Sequence, residues 1–376
     1  MDTLTHALSG ALLARATAPA TPGPGELTSR ARMTVGFVAA AFPDSDIVLR
    51  LFGMLPYLDL HRGVTHSIIL LPAWALLLAW LFSRCSRQRY SWRAIYGTAA
   101  LGIGIHIAGD VFTAYGTMVL APFSYHRFAV PFTFIIDPYF TAIIVIGLAA
   151  VMFRRQRRYP AIIALLMLGC YVGFQGILHS QAIKIGETYL ETHGLKETGA
   201  EVHAIPQPLS PFNWKIIVSH GDDYYEALVN LWRVQKLQPP DTANGILAAW
   251  KRVASGYQPV SAAKWMHHGR FGEMESQHIL AREAWSQEVF TRYRQFAIFP
   301  FLDRIESDGG RLCVWFLDLR FTLPSLPPSL GFGVCRDNAS GPWRLGQRAG
   351  TFGTDTLLKL LGMKREEDQP PHPELE

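Results

Sequence analysis

Five short segments in the first half of the chain concentrate histidine and aspartate. They are Asp2-x-x-x-His6, Pro43-Asp44-Ser45-Asp46, His61-Arg62-Gly63-Val64-Thr65-His66-Ser67, His106-x-x-x-Asp110 and Asp137-Pro138. Imidazole and carboxylate donors suit zinc, manganese or iron, whereas a thiolate-selecting ion would want cysteine. His106 and Asp110 stand four residues apart, so a helix projects both from one face toward a single ion. An ion held in this way acidifies its bound water and steadies negative charge on a phosphoryl or acyl oxygen. An aspartate left outside the coordination shell can take a proton as general base. Arg62 and Arg127 lie beside these segments and carry the planar fork that grips phosphate.

Each fragment alone also has a plainer reading. His6 on an apolar helix fits a satisfied core residue, Asp44-Ser45-Asp46 fits a helix stop with a cap, and His61 with Arg62 fits an interface anchor. His106 and Asp110 fit a buried hydrogen bond without metal, and Asp137 before Pro138 fits a cap on the helix that follows. What favours a common site is depth. His6 lies nine residues from Arg15, Asp44 twelve from Arg32, His66 eighteen from Arg84 and His106 thirteen from Arg93. At helical rise those separations are roughly 14, 18, 27 and 20 Å, so all four can meet in the outer half of a bundle.

The elements that must carry these groups are apolar. Of the 376 residues 49% are hydrophobic and only 17% charged, with mean hydropathy +0.13. A soluble globule carries about a quarter charged residues. Uncharged runs at 160–178, 132–153, 94–112 and 68–82 predict four membrane crossings, and 3–16 and 33–49 are two shorter apolar helices. Intramembrane ionisable groups are expensive and usually line a site or pair with one another. Arginines cluster at 84–93 and 154–158, beside Arg30 and Arg32 of an early Pro/Gly-rich linker. The positive-inside rule keeps those loops cytoplasmic, so the chain after 180 is expected on the outer, periplasmic side. That rule also accounts for much of the net charge of +5, and nucleic acid is not an expected partner. No basic stretch opens the chain in the manner of a cleavable leader, and the N-terminal segment is expected to stay in the mature protein.

From about residue 180 the pattern becomes that of a soluble α+β domain over 181–362, followed by a polar, proline-bearing tail at 363–376 expected to be disordered. FNWKIIVSH and YYEALVNLW flank Gly221-Asp222-Asp223, and a second pair of runs flanks Ser307-Asp308-Gly309-Gly310; both read as hairpins. Stretches near 242–254 and 274–290 read as helices. Cys313 and Cys335 would pair in an exported domain and would be free thiols otherwise. The fold class expected is mainly α: a multi-pass helical bundle over 1–180 with an appended α+β domain.

The opening MDTLTHALSG, then PDSD, HRGVTHS and HIAGD in this order, resemble the YdjM-type inner-membrane family of predicted metal-dependent hydrolases. The loop GDVFTAYGTMVLAPFSYHR and the later IIDP resemble members with an added C-terminal domain. The resemblance implies metal ligands at His6, Asp44, His66, His106 and Asp110, with Asp46 and His61 as ligands or their immediate supports. Asp46, His61, Arg62 and Arg127 are then the residues expected to act on substrate. Similarity of the family to helical zinc phospholipases and P1-type nucleases implies phosphoester hydrolysis. The longer run of histidine and glutamate ligands found in zinc phospholipases is missing here, which argues against a three-metal centre. The expected cofactor is a divalent metal, zinc first, with manganese or iron also suited. Membrane lipids and a lipid-linked or phosphoester substrate are the expected partners, and a link to LexA enters through the family's name only. The competing expectation is a non-catalytic protein stapled by metal, with the exported domain binding a partner.

Overall fold

A computed structural model describes residues 1–154, 157–238, 246–328, 330–338 and 341–348. The chain divides into two compact units, Met1–Lys184 with Ala204–Asn213, and Ile185–His203 with Trp214–Glu376. The expected tail at 363–376 lies outside the described residues.

The first unit is helical. Its elements are α1 (Thr3–Ala16), α2 (Ser29–Ala41), α3 (Met54–Leu60), α4 (Leu71–Cys85), α5 (Trp92–Val111), α6 (Pro138–Phe153) and the start of α7 (Tyr159–Thr192). Local chemistry sets their ends. Asp2, Thr28 and Ser91 cap α1, α2 and α5 by accepting from backbone N–H groups one turn in. Asp137 does the same for α6, taking the Tyr139 and Phe140 N–H groups at 2.9 and 3.0 Å, which is the capping role. The apolar run expected at 33–49 does not continue as one helix. It changes at Phe42, with Pro43 next, into a 3₁₀ stretch over Phe42–Phe52, and this puts Asp44 and Asp46 on a tighter turn.

Two helices among the described residues, α5 and α7, are long and apolar enough to cross a membrane. A third span results if Met54–His66 and Leu71–Cys85, bent by 80° at their break, count together. The segment expected to cross at 132–153 gives a 16-residue helix, because Asp137-Pro138 starts it late. At about 1.5 Å per residue it spans roughly 24 Å, short of a core of about 30 Å.

Helices α1, α2 and α5 approach one another closely because glycine faces glycine. A Cβ on Gly10 would lie 2.2 Å from the Gly36 carbonyl oxygen, and one on Gly102 would lie 2.8 Å from the Ala39 Cβ. Small residues of this kind are what let helix backbones touch where lipid gives no hydrophobic drive. Apolar packing closes both flanks: Val35, Ala39, Leu78, Ile95, Ala99 and Ile103 on one side, Leu12, Phe140, Ile144, Ala164 and Leu168 on the other.

The second unit begins at Ile185 within α7 and carries the strands apart from the end of β1 and the first residue of β2, which group with the first unit. A five-stranded sheet orders β1 (Glu201–Pro206), β2 (Asn213–His220), β3 (Asp223–Asn230) and β4 (Gln258–Pro259), with β5 (Trp265–Gly269) also on β3. A four-stranded antiparallel sheet runs β6 (Pro300–Asp308), β7 (Arg311–Asp318), β8 (Phe332–Asp337) and β9 (Arg344–Gln347). Both expected hairpins form. Gly309 and Gly310 at φ +54° and +86° supply the left-handed pair that a two-residue hairpin loop requires. Of the stretches expected as helices, α8 covers Ile246–Ser255 and α9 covers Glu275–Ser286, with residues 242–245 outside the described part; α10 (Thr291–Phe296) was not foreseen. Cys313 and Cys335 face each other across β7 and β8, Cα atoms 4.1 Å apart, and are joined by a disulfide.

Candidate metal centre

Four donor atoms from three parts of the chain converge. Asp44 comes from the 3₁₀ stretch after α2, His66 from the turn before α4, and His106 and Asp110 from one face of α5. The two Nε2 atoms lie 2.9 Å apart. Asp110 Oδ2 is 3.2 Å from His66 Nε2 and 3.3 Å from His106 Nε2, and Asp44 Oδ1 is 3.6 Å from each. A tetrahedral ion with bonds of about 2.0–2.1 Å needs donor–donor edges of about 3.3 Å. The cluster already has nearly that size.

The protonation pattern points the same way. His106 Nδ1 donates to the Ala40 carbonyl at 2.6 Å, so in the neutral ring Nε2 carries a lone pair. His66 Nδ1 meets the Thr65 hydroxyl at 2.9 Å, and that hydroxyl in turn donates to Asp46 Oδ2 at 3.3 Å. In the tautomer in which Thr65 passes its proton to Asp46, both imidazoles turn lone pairs toward one point, where they repel unless a cation stands between them. Asp110 Oδ2, fully buried, has no hydrogen-bond partner among the described residues. A buried carboxylate oxygen without a partner is costly, and a divalent ion removes that cost. The residues fit a metal.

Around this core stands a supporting layer. Asp110 Oδ1 is approached by His6 Nε2 at 3.0 Å, Arg62 at 2.8 Å and the Met1 amino group at 2.5 Å. Thr3 donates to Asp44 Oδ2 at 2.6 Å. Asp46 gathers the HRGVTH turn: it accepts from His61 Nδ1 at 2.9 and 3.0 Å, from the Arg62 N–H at 3.1 Å and from Thr65. Arg62 holds φ +62°, a left-handed conformation disfavoured for a side chain of this size. Its buried guanidinium and the Asp46 carboxylate hold that turn in place. Asp44, Asp46 and His61 form a second, partly exposed grouping that shares Asp44 with the first. His66, His106 and Asp110 are fully buried, whereas the side chains of Asp44 and His61 keep 12% and 13% of their surface, so the histidines and aspartates meet the outside at Asp44 and His61.

Three expectations change. His6 does not join the four converging donors; its ring stacks on His106, centroids 3.7 Å apart, and its Nε2–H goes to the outer oxygen of Asp110. Arg62 does not fork toward a phosphate, since it bonds Asp110 Oδ1, the Asp110 carbonyl and Thr113 Oγ1. Arg127 is likewise turned inward, donating to the carbonyls of Leu58, Asp59, His61 and Gly116. Sequence reasoning missed Thr3, Thr65 and the Ala40 carbonyl. Thr65 stood in view one residue before His66, but a backbone carbonyl leaves no mark on composition or spacing.

Residues 1–182 match the family described as YdjM inner membrane protein. The uncharacterized protein YfhP of Bacillus subtilis strain 168 is 27% identical over 229 residues, which is 60% of this chain and 67% of that protein. No solved structure matches the chain. Over its helical part, residues 1–182, the chain is similar to the YdjM inner membrane protein family.

Proposed function

We propose that the protein is a multi-pass, metal-dependent hydrolase of the cytoplasmic membrane, acting on a phosphoester group carried by a lipid. One observation carries this reading: two imidazole lone pairs and two carboxylates converge at coordination distance beside an edge open to the outside. The donor set and its tetrahedral spacing favour zinc, with manganese or iron as the other suited ions. Asp44, His66, His106 and Asp110 would hold the ion. When bound, it would supply Lewis acidity, and an ionisable water where it accepts a ligand beyond the four protein donors.

The chain's own groups divide the remaining work. His61 gives its Nδ1–H to Asp46, which leaves Nε2 as a base at the open edge. Asp46 fixes the tautomer and the ring direction, the role a carboxylate takes behind a working histidine. Arg62 and Arg127 act by holding the turn, not by touching substrate. The lipid assignment rests on the surface next to that edge. On the 3₁₀ stretch bearing Asp44, Leu51 and Phe52 are 83% and 75% exposed, and Ile47 and Val48 are exposed as well. In water such a patch would be a liability; against acyl chains it is a guide. The disulfide Cys313–Cys335 and the arginine loops support a C-terminal domain on the outer, periplasmic side.

A second reading has its own observation. Four protein donors in an almost closed site are the pattern of a structural metal, which would staple the bundle without turnover. The test is metal analysis of the detergent-purified full chain together with hydrolysis of phosphatidate vesicles and of a soluble phosphodiester. Stoichiometric divalent metal, with turnover lost on chelation and regained on adding zinc, is the expected result. Metal without turnover on either substrate would select the staple, and turnover that survives chelation would remove the metal from the mechanism.

A further inference from the structure

Between Met33 and Phe153, apart from the loop at 84–93, arginine stands at three positions: Arg50, Arg62 and Arg127. Arg62 is held by Asp110 and Thr113, and Arg127 by backbone carbonyls. Arg50, in contrast, is exposed near the end of the 3₁₀ stretch, Phe42–Phe52, that also carries Asp44. Gly53, at φ +115°, a conformation open to glycine, then turns the chain into α3. Tyr57 of α3 comes back against Arg50, whose guanidinium carbon lies 5.2 Å from the ring centroid. Toward the centre, the Tyr57 ring stacks on His61, centroids 4.7 Å apart. Arg50, Tyr57 and His61 thus form one row that ends where His61 and Asp44 meet the outside.

The described partners of Arg50 leave its donors for a ligand. Its side chain reaches Met54 Sδ at 4.0 Å, a weak acceptor, and no carboxylate among the described residues pairs with it. A cation–π contact occupies the face of a guanidinium and leaves the N–H fork in its plane. Along the same stretch Ile47, Val48, Leu51 and Phe52 are exposed. A guanidinium set among exposed apolar side chains suits a molecule with a phosphate at one end and acyl chains at the other. We propose that Arg50 binds the phosphate headgroup of the lipid substrate at the open edge, with Tyr57 as the platform that holds its guanidinium in the row leading to His61. That the lipid is a substrate rests on the hydrolase reading, whereas its binding by Arg50 is measured without turnover.

The test is native mass spectrometry of the detergent-purified full chain at saturating zinc. The titrants are the phosphonate analogue of phosphatidate, which hydrolysis does not consume, diacylglycerol and inorganic phosphate. The phosphonate lipid should bind at least about tenfold more tightly than diacylglycerol, and Arg50→Gln should weaken it by about tenfold, the loss expected when one hydrogen-bonded charge is removed. Arg50→Lys, which keeps the charge but not the planar fork, should recover part of that loss. Arg89→Gln, at an exposed position in an arginine loop, should bind as the wild type does. An unaffected Arg50→Gln overturns the proposal, and so does an equal loss in Arg89→Gln, which would indicate a general basic surface. Loss of zinc from Arg50→Gln overturns it too, since the residue would then act on the structure of the centre. Displacement of the phosphonate lipid by inorganic phosphate at similar concentration would make Arg50 a site for free anion and overturn the lipid assignment. If the binding pattern holds while the wild type leaves phosphatidate vesicles intact, Arg50 stands as a lipid-binding residue and the hydrolase reading fails.

Discussion

His6 provides the sharpest test of how the centre is built, because the family resemblance implies a ligand there and the packing makes it a support. Its Nε2–H meets Asp110 Oδ1 at 3.0 Å, while the opposite oxygen of the same carboxylate faces the four-donor point. Replacing His6 with alanine removes one of three groups that orient Asp110 and the ring stacked on His106, but none of the converging donors. Loss of an outer partner of this type weakens metal binding by about 10- to 100-fold, or about 1.4–2.7 kcal/mol. His66→Ala and His106→Ala instead delete a donor and should purify without metal. The assay is elemental analysis of detergent-purified protein, followed by competition against a chelator of known affinity. His6→Ala should retain one metal per chain at saturating zinc with a raised Kd, and His6→Gln, which can still donate to Asp110, should recover part of the loss. A His6→Ala protein as metal-free as His106→Ala would refute the assignment of His6 as a support. Stoichiometric metal in His66→Ala and His106→Ala alike would refute the centre itself.

Other outcomes follow from the same geometry. Asp46→Asn keeps the shape of the HRGVTH turn's hub but weakens the hold on His61 Nδ1; turnover should fall by at least about tenfold with metal content retained, read by parallel activity and metal assays. In the second unit, burial tends to raise the Glu226 carboxyl, but Lys215 at 2.7 Å and His268 at 2.9 Å outweigh it and hold it at about 2, below its ordinary 4.5. A depressed carboxylate stabilises the fold above its unfolded value, and that contribution should drain away as pH falls from about 4.5 to about 2, as followed by acid titration of circular dichroism. Glu226→Gln leaves Lys215 buried without its anion and should cost about 3–5 kcal/mol in chemical denaturation. Cys85, the last residue of α4 beside an arginine loop, is an exposed free thiol, so a membrane-impermeant maleimide should label it only after cells are opened; labelling of intact cells would reverse the orientation.

Much of the molecule is legible in its sequence. Donor identity was fixed by residue type, and the helical spacing of His106 and Asp110 placed both on one face. Hairpin positions followed from glycines whose missing Cβ allows positive φ, as at Gly309 and Gly310. Helix starts were partly readable as well: Asp137 caps α6 because a carboxylate before proline satisfies N–H groups that have no intrahelical partner. The crossings were less legible, since hydropathy registers apolar runs but not the breaks that Pro43 and Asp137-Pro138 impose on them.

The sequence by itself determined which chemistries were available: imidazole and carboxylate at bundle depth, arginine at the loops, and an α+β module after the last apolar run. Only the tertiary structure decided which groups face the centre and which stand behind them. Asp110 has two oxygens, and whether a neighbour meets the inner or the outer one depends on how α1 and the 54–69 segment lie against α5. That arrangement is set by backbone contact at Gly10, Gly36 and Gly102, an inter-helix distance no one-dimensional spacing contains. The same holds for Arg62 and Arg127: a guanidinium next to a site in sequence is free for substrate or consumed by carbonyls according to where the loops fold, and here the carbonyls and Asp110 hold them.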